Sequence, residues 1–356
     1  MQTSVSRRPL SSTLFTALLT STTVSIGLAA SSPRASAATF VPISRIYAYG
    51  DSYSDNGASF DISTRAVDAG VPGSFVLPAD PPGSLYDEAG RWTNGPTAVE
   101  VLSDRLGVGL TDYALGGAKS GSGSYYSWLD SFQDTGVFGQ VDQFAVSLGG
   151  RTADPSSLHF IFASANDFFE YSDFGLPGTV EDLAAQTVNN ISQSVTDLSA
   201  LGAKQFMVVN SSDLDILPGV IEFGQAKDAA VYTDAVNRLL EDEIAAIAQQ
   251  SDIQIALYDH VGISDKIRAN PQDFALTNVI DSCQPVFPVE LRCEAPEEHY
   301  FWDEYHPTER AHQIIGEDMA EFVADQTVPE PLTTLGSLVA GGFLWGLAKY
   351  RKFVDS

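Results

Sequence analysis

Basic side chains are scarce in this sequence: 19 Lys and Arg stand against 46 Asp and Glu, for a formal net charge of -27. No Lys/Arg-rich patch interrupts the middle of the chain. Nucleic acid is therefore not an expected partner, because phosphate binding needs a basic surface. The acidity reads as a soluble surface exposed to salt or an extracellular medium. Cysteine is nearly absent. The two that occur, Cys283 and Cys293, are close in sequence. In an exported chain the expected pairing is a disulfide closing that short loop, with two free thiols as the alternative. No histidine lies at ligand spacing from them, which argues against a zinc site. Internal repeats and heptads are missing. So is Gly-x-Ser-x-Gly, and with it the strand-to-helix nucleophile elbow.

What is present divides the chain in three. Arg7 and Arg8 precede a mostly apolar, uncharged stretch from Leu14 to Ala30. Ala35-Ser36-Ala37 then fits a small-x-small cleavage site, so residues 1–37 read as a secretory signal and Ala38 as the first mature residue. Residues 38–327 are long enough for one large core or two modest ones. The tail, 328–356, begins with Pro329-Glu330-Pro331. It continues uncharged from Leu332 to Ala348 and ends basic at Lys349, Arg351 and Lys352. The uncharged stretch is at the short limit for a transmembrane helix, with its basic end cytoplasmic and the body outside. A buried terminal helix is the bland alternative.

In the body, strands are expected at 45–49, 111–115, 158–163, 205–210 and 253–258. Helices are expected after Pro96 to Leu106, then over 179–201, 226–250 and 308–325. Residues 58–90 and 262–300 read as irregular, and 119–139 as a Gly/Ser-rich loop with Tyr125, Tyr126 and Trp128 near a site. The alternation implies a three-layer α/β/α sandwich with a mostly parallel sheet. Sites in such sheets lie at the carboxyl ends of the strands. Ser52, Gly117 and Asn166 each follow a strand end.

Ser52 stands in Tyr49-Gly50-Asp51-Ser52-Tyr53-Ser54-Asp55-Asn56-Gly57. Its bland reading is a helix cap, with Asp55 completing a capping box. Its chemical reading is a nucleophile, which needs a base. Of His159, His260, His299, His306 and His312, His306 stands out because Asp303 precedes it by three residues, while His260, after a strand end, stays open as an alternative. That spacing allows the carboxylate to fix the tautomer of the imidazole. Acyl transfer also needs donors for a developing oxyanion. Gly116-Gly117 offers a backbone N–H that substrate can approach, and Asn166 an amide. The bland reading of Asn166-Asp167 is a turn or cap.

The ordered set Gly-Asp-Ser-x-x-Asp-x-Gly, Tyr-Ala-x-Gly-Gly-Ala, Ala-Asn-Asp and Phe-Trp-Asp-x-x-His-Pro-Thr resembles the GDSL lipase/esterases, or SGNH hydrolases. Gly90-Arg91-Trp92-Thr93-Asn94-Gly95 and Leu201-Gly202-Ala203-Lys204 extend the likeness over about 45–325. The resemblance implies a flavodoxin-like sandwich and a metal-free, cofactor-free serine ester hydrolase. It implies Ser52 as nucleophile, His306 as base and then acid, and Asp303 as its orienter. The implied oxyanion hole is Ser52, Gly117 and Asn166, with Gly116 still open as the glycine. Tyr53 stands where the family name has Leu, and Ser164 where the family has Gly. The implied partner is an ester: a lipid, a short-chain ester or an acetylated sugar. The tail resembles a PEP-CTERM sorting signal, implying transient membrane insertion, cleavage by a processing protease and delivery to a bacterial cell surface or beyond. Two other functions fit the same residues. One is an acyltransferase using the same serine chemistry. The other is a non-catalytic surface or matrix module on the same fold.

Overall fold

The computed structural model of the chain describes residues 39–80, 83–286, 289 and 293–327. The expected signal segment and the tail with its Pro-Glu-Pro motif lie outside the described residues. Strands and helices alternate as β1 (Arg45–Gly50), α1 (Ala58–Asp68), α2 (Ala98–Leu106), β2 (Gly109–Asp112), α3 (Val137–Leu148), β3 (Leu158–Phe162), α4 (Ala165–Phe174), α5 (Val180–Ala200), β4 (Gln205–Val209), α6 (Pro218–Glu222), α7 (Ala226–Gln250), β5 (Gln254–Tyr258) and α8 (His260–Ala269). A short parallel pair, β6 (Asn278–Ser282) and β7 (His299–Phe301), and the last helix α9 (Glu309–Thr327) follow.

The main sheet has the order β2-β1-β3-β4-β5, all parallel. This is the flavodoxin-like order, in which the direction of winding reverses between β1 and β3 and opens a crevice at the carboxyl ends. The central strands are apolar on both faces, as burial between two helical layers demands. Leu158, His159, Phe160, Ile161 and Phe162 of β3 are all buried, as are Phe206, Met207, Val208 and Val209 of β4. Helix α2 packs on α9, and α3, α5 and α7 pack in series, which completes the sandwich. No helix among the described residues is long and apolar enough to cross a membrane.

Local patterning and the structure differ at several stretches. Residues 58–68 form α1 rather than loop. Its polar Ser, Asp and Thr residues mask a face buried through Ile62 and Ala66. The helix starts at Ala58, not at Ser52, so the capping box of the bland reading is not formed. The Asp55 carboxylate instead accepts the N–H groups of Gly57 and Ala58 at 2.9 and 2.7 Å. Helix α3 begins inside the expected 119–139 loop. The stretch 262–300 holds most of α8 and the β6/β7 pair, whose short strands give too brief a period to read. Strand β2 lies at 109–112 rather than 111–115. The chain beyond it still donates from Tyr113 and Leu115 to the carbonyls of Ala48 and Gly50 on β1. Pro96 sits before the N-cap Thr97, not in the first turn of α2.

Candidate active site

The first side chain of the site is set by a short turn after β1. The Gln140 amide of α3 holds both backbone groups of Gly50, accepting from its N–H and donating to its carbonyl at 2.8 Å each. Asp51 then accepts the N–H of Tyr53, and its backbone carbonyl accepts those of Ser54 and Asp55. This turn presents Ser52, only partly buried, at the crevice. Its Oγ lies 2.9 Å from Nε2 of His306, across 254 residues of chain.

His306 comes from the loop between β7 and α9. Its Nδ1 is 2.8 Å from Oδ2 of Asp303. Oδ1 of Asp303 accepts the backbone N–H groups of Tyr305 and His306, each at 2.8 Å, and the Tyr86 hydroxyl donates to Oδ2 at 2.8 Å. Asp303 is 1% exposed. Burial alone would push its carboxyl up. The neighbouring imidazole and these donors outweigh burial and hold it below the ordinary carboxylate range. A buried acceptor on Nδ1 leaves Nε2 free to take a proton from the Ser52 hydroxyl.

Among the described residues none of the other four histidines is hydrogen-bonded to Ser52. His159 is enclosed by Tyr49, Phe144 and Phe206, and burial pulls it down to about 3. His260 is buried against Tyr53 and Phe162, and burial pulls it down to about 4. His299 Nδ1 pairs with the carbonyl of Ala295. His312 Nδ1 accepts the N–H of Ala98 on α2, on the helix-packed side of α9.

Asp55 engages one member of the glycine pair. Gly116 donates its N–H to Oδ2 of Asp55 at 2.9 Å and to the Ser59 hydroxyl at 2.6 Å. Asp55 also accepts from Nε1 of Trp92 and from the hydroxyl of Ser59. It therefore ties α1, the glycine loop and Trp92 together. Gly117 has φ +83°, and a Cβ there would lie 2.7 Å from the Tyr126 ring, so both conformation and space call for glycine. Among the described residues the N–H groups of Ser52 and Gly117 donate to no acceptor.

Asn166 lies in the first turn of α4, just past the end of β3. Its Nδ2 donates to the carbonyl of Ala118 at 3.0 Å, next to Gly117. An amide has two such protons, so one remains. Ser164, two residues earlier, has φ -161°, an extended value that requires no glycine. Beneath the turn, burial pushes the Asp51 carboxyl up to about 7 and that of Asp167 up to about 6.

The Tyr125 to Trp128 loop is partly core and partly site. Trp92 lies 5.5 Å from the His306 ring and stacks on Tyr126 at 6.0 Å. Tyr126 contacts Phe75, which is 43% exposed. A row of rings thus runs from the surface to His306. Pattern reading missed Gln140 and Tyr86. Neither carries a local signal, because each acts on a residue far away in sequence. Cys283 and Cys293 are bonded, with Cα atoms 4.8 Å apart. The N–H groups of Cys283 and Gln284 donate to the carbonyls of Phe301 and Trp302, so Cys283 lies beside the strand that leads to Asp303.

The profile of the GDSL-like lipase/acylhydrolase family matches residues 46–319. A GDSL esterase/lipase of Arabidopsis thaliana is 23% identical over 81% of this chain and 83% of its own. A phosphatidylcholine-sterol acyltransferase of Aeromonas hydrophila is 24% identical over 80% of this chain and 91% of its own. The solved structure of a carbohydrate acetylesterase from Sinorhizobium meliloti aligns with a TM-score of 0.42 at 12% identity, covering 79% of this chain and 99% of that one. With the family profile spanning all five strands of the sheet and every element of the site, this chain belongs to the GDSL-like lipase/acylhydrolase family.

Proposed function

We propose that residues 38–327 form a serine ester hydrolase working through an acyl-Ser52 intermediate. The observation that carries this is the continuous contact Ser52 Oγ, His306 Nε2, His306 Nδ1, Asp303, at 2.9 and 2.8 Å. His306 takes the hydroxyl proton as Oγ attacks the ester carbonyl carbon. It returns that proton to the leaving alkoxide as the tetrahedral intermediate collapses. Water then repeats the sequence on the acyl-enzyme, with His306 as base.

The oxyanion is assigned to the N–H of Ser52, the N–H of Gly117 and the amide of Asn166. The choice of Gly117 over Gly116 is supported by the bonds that already occupy the Gly116 N–H. Removing the amide with Asn166→Ala is expected to lower kcat about 100- to 1,000-fold with little change in KM. Unchanged kcat on a p-nitrophenyl ester would remove Asn166 from the site. Hydrolysis of short-chain p-nitrophenyl esters by the wild-type chain is the direct test of the activity, and inertness toward these and toward a fluorophosphonate probe would favour the non-catalytic module.

The Aeromonas relative favours a second reading, transfer of the acyl group to an alcohol instead of water. Product analysis with added glycerol or sterol separates the two. The row of rings from Phe75 to His306 supports a substrate with an apolar chain or a sugar ring.

The segment 1–37 is assigned to export, on the strength of Arg7, Arg8 and the Ala35-Ser36-Ala37 site. The segment 328–356 is assigned to sorting through a membrane and a processing protease, on the strength of Pro329-Glu330-Pro331 and the basic end. In the native bacterium the released protein is expected to begin at Ala38 and to end near Pro331. Mass determination of both termini checks this, and an intact chain at the surface would count against it.

A further inference from the structure

Tyr86 lies far from every catalytic motif, yet its hydroxyl donates to the carboxylate that orients His306. The contact is built, not incidental. The Asp80 carboxylate accepts the N–H groups of Gly83, Ser84, Leu85 and Tyr86, which shapes the turn that delivers the ring. Leu85, one residue earlier, is buried. The Asp87 N–H donates to the carbonyl of Thr93, which closes the segment on its other side.

The same segment grips the His306 loop at two more points. The Thr93 hydroxyl donates to the carbonyl of Pro307 at 2.6 Å, and Oδ1 of Asn94 accepts the N–H of Glu309 at 2.8 Å. Arg91 anchors it to α2 through an ion pair with Glu100 and braces the segment internally through a second with Asp87. Burial holds the Tyr86 phenol well above its ordinary range, so it stays protonated and donates throughout the working pH.

We infer that residues 83–94 form a strap that positions the catalytic loop, and that Tyr86 is its positioning residue, holding the Asp303 oxygen that the loop's own backbone N–H groups do not. The inference rests on the proposed serine mechanism. The physical reason is the share of charge on Oδ2. That oxygen faces both His306 Nδ1 and the Tyr86 hydroxyl. With the phenol present, the carboxylate is held in one orientation and part of its charge is spent on Tyr86. Without it, Asp303 turns more freely, and more charge faces the imidazole and favours its protonated form.

Other groups face the pair. Asp51 and Tyr53 face it from the nucleophile turn, and Tyr126 from the aromatic loop. Glu304 and Tyr305 belong to the loop itself, and His312 faces it from α9. The Tyr86→Phe substitution changes none of them.

The test is Tyr86→Phe in the full chain, assayed beside wild type on a p-nitrophenyl ester. The expected result is a fall in kcat of about 10-fold, the size of one hydrogen bond to a charged group, with KM unchanged. The acid limb of kcat/KM moves to higher pH, and the far-downfield proton resonance of His306 Nδ1–H shifts. A raised KM with unchanged kcat would make Tyr86 a substrate contact and overturn the inference. An unchanged pH profile and resonance would also overturn it. Any loss of the fold is read from thermal melting, and Asp80→Asn, which loosens the turn while leaving Tyr86 in place, is expected to give a smaller shift of the same sign. A wild type without esterase activity would instead sink the serine mechanism, whereas the resonance still reports on Tyr86.

Discussion

Replacing Ser52 with alanine is expected to lower kcat by about 10⁴- to 10⁶-fold on short-chain p-nitrophenyl esters, with KM nearly unchanged and labelling by a fluorophosphonate abolished. The loss is large because, in the proposed mechanism, Ser52 Oγ is the atom that forms the covalent bond. No second hydroxyl donates to His306 Nε2 among the described residues. What activity remains would come from donors and substrate binding acting on water. The fold is not at stake, since the turn is held by Gln140 on Gly50 and by the Asp51 backbone, neither of which uses the Ser52 side chain. Thermal melting should therefore superimpose on wild type. Equal turnover by the two proteins would remove Ser52 as nucleophile, whatever the surrounding motif.

Asp303→Asn is the second large effect, with an expected fall in kcat of about 10⁴-fold near neutral pH. Its cause differs. The two backbone N–H groups of Tyr305 and His306 and the Tyr86 hydroxyl all donate toward the carboxylate, and His306 Nδ1 donates as well. An amide has one acceptor oxygen, and the backbone donors claim it. The NH2 then faces His306 Nδ1 and favours the tautomer with its proton on Nε2, where it cannot accept from Ser52.

Moderate acid should not protonate Asp303 in wild type. Although burial pushes the Asp303 carboxyl up, His306 and the donors hold it below the ordinary carboxylate range. A carboxylate depressed on folding contributes stability above its unfolded value, and that stability is lost as pH falls through the folded value. The Asp303–His306 contact should therefore survive to pH values below those at which free carboxylates protonate. Steady-state kinetics of the variant test the claim, and a loss under tenfold would show that Asp303 does not set the tautomer.

Much of this protein was legible in its sequence, where the signal is local. The apolar run Leu158–Phe162 announced a strand covered on both faces. The helices expected over 179–201 and 226–250 are found at Val180–Ala200 and Ala226–Gln250. Asp303 and His306 are three residues apart, so one loop suffices to bring them together. Glycine and asparagine at strand ends follow from the architecture, because in a parallel sheet those ends share one edge.

The rest was decided by tertiary structure, because it depends on contacts between residues far apart in the chain. Helix α1 was hidden by a polar composition, and only the packing of Ile62 and Ala66 reveals it. Which glycine keeps an unspent N–H is fixed by Asp55, some sixty residues away along the chain. His306, singled out in the sequence by Asp303, meets Ser52 only through an approach across 254 residues. Tyr86 reaches Asp303 across 217 residues, from a Gly- and Pro-rich stretch with no period of its own. A repeat of 3.6 or 2 residues records which face an element buries. It carries no information on which distant hydroxyl or carboxylate that face will meet, and in this protein those meetings make the site.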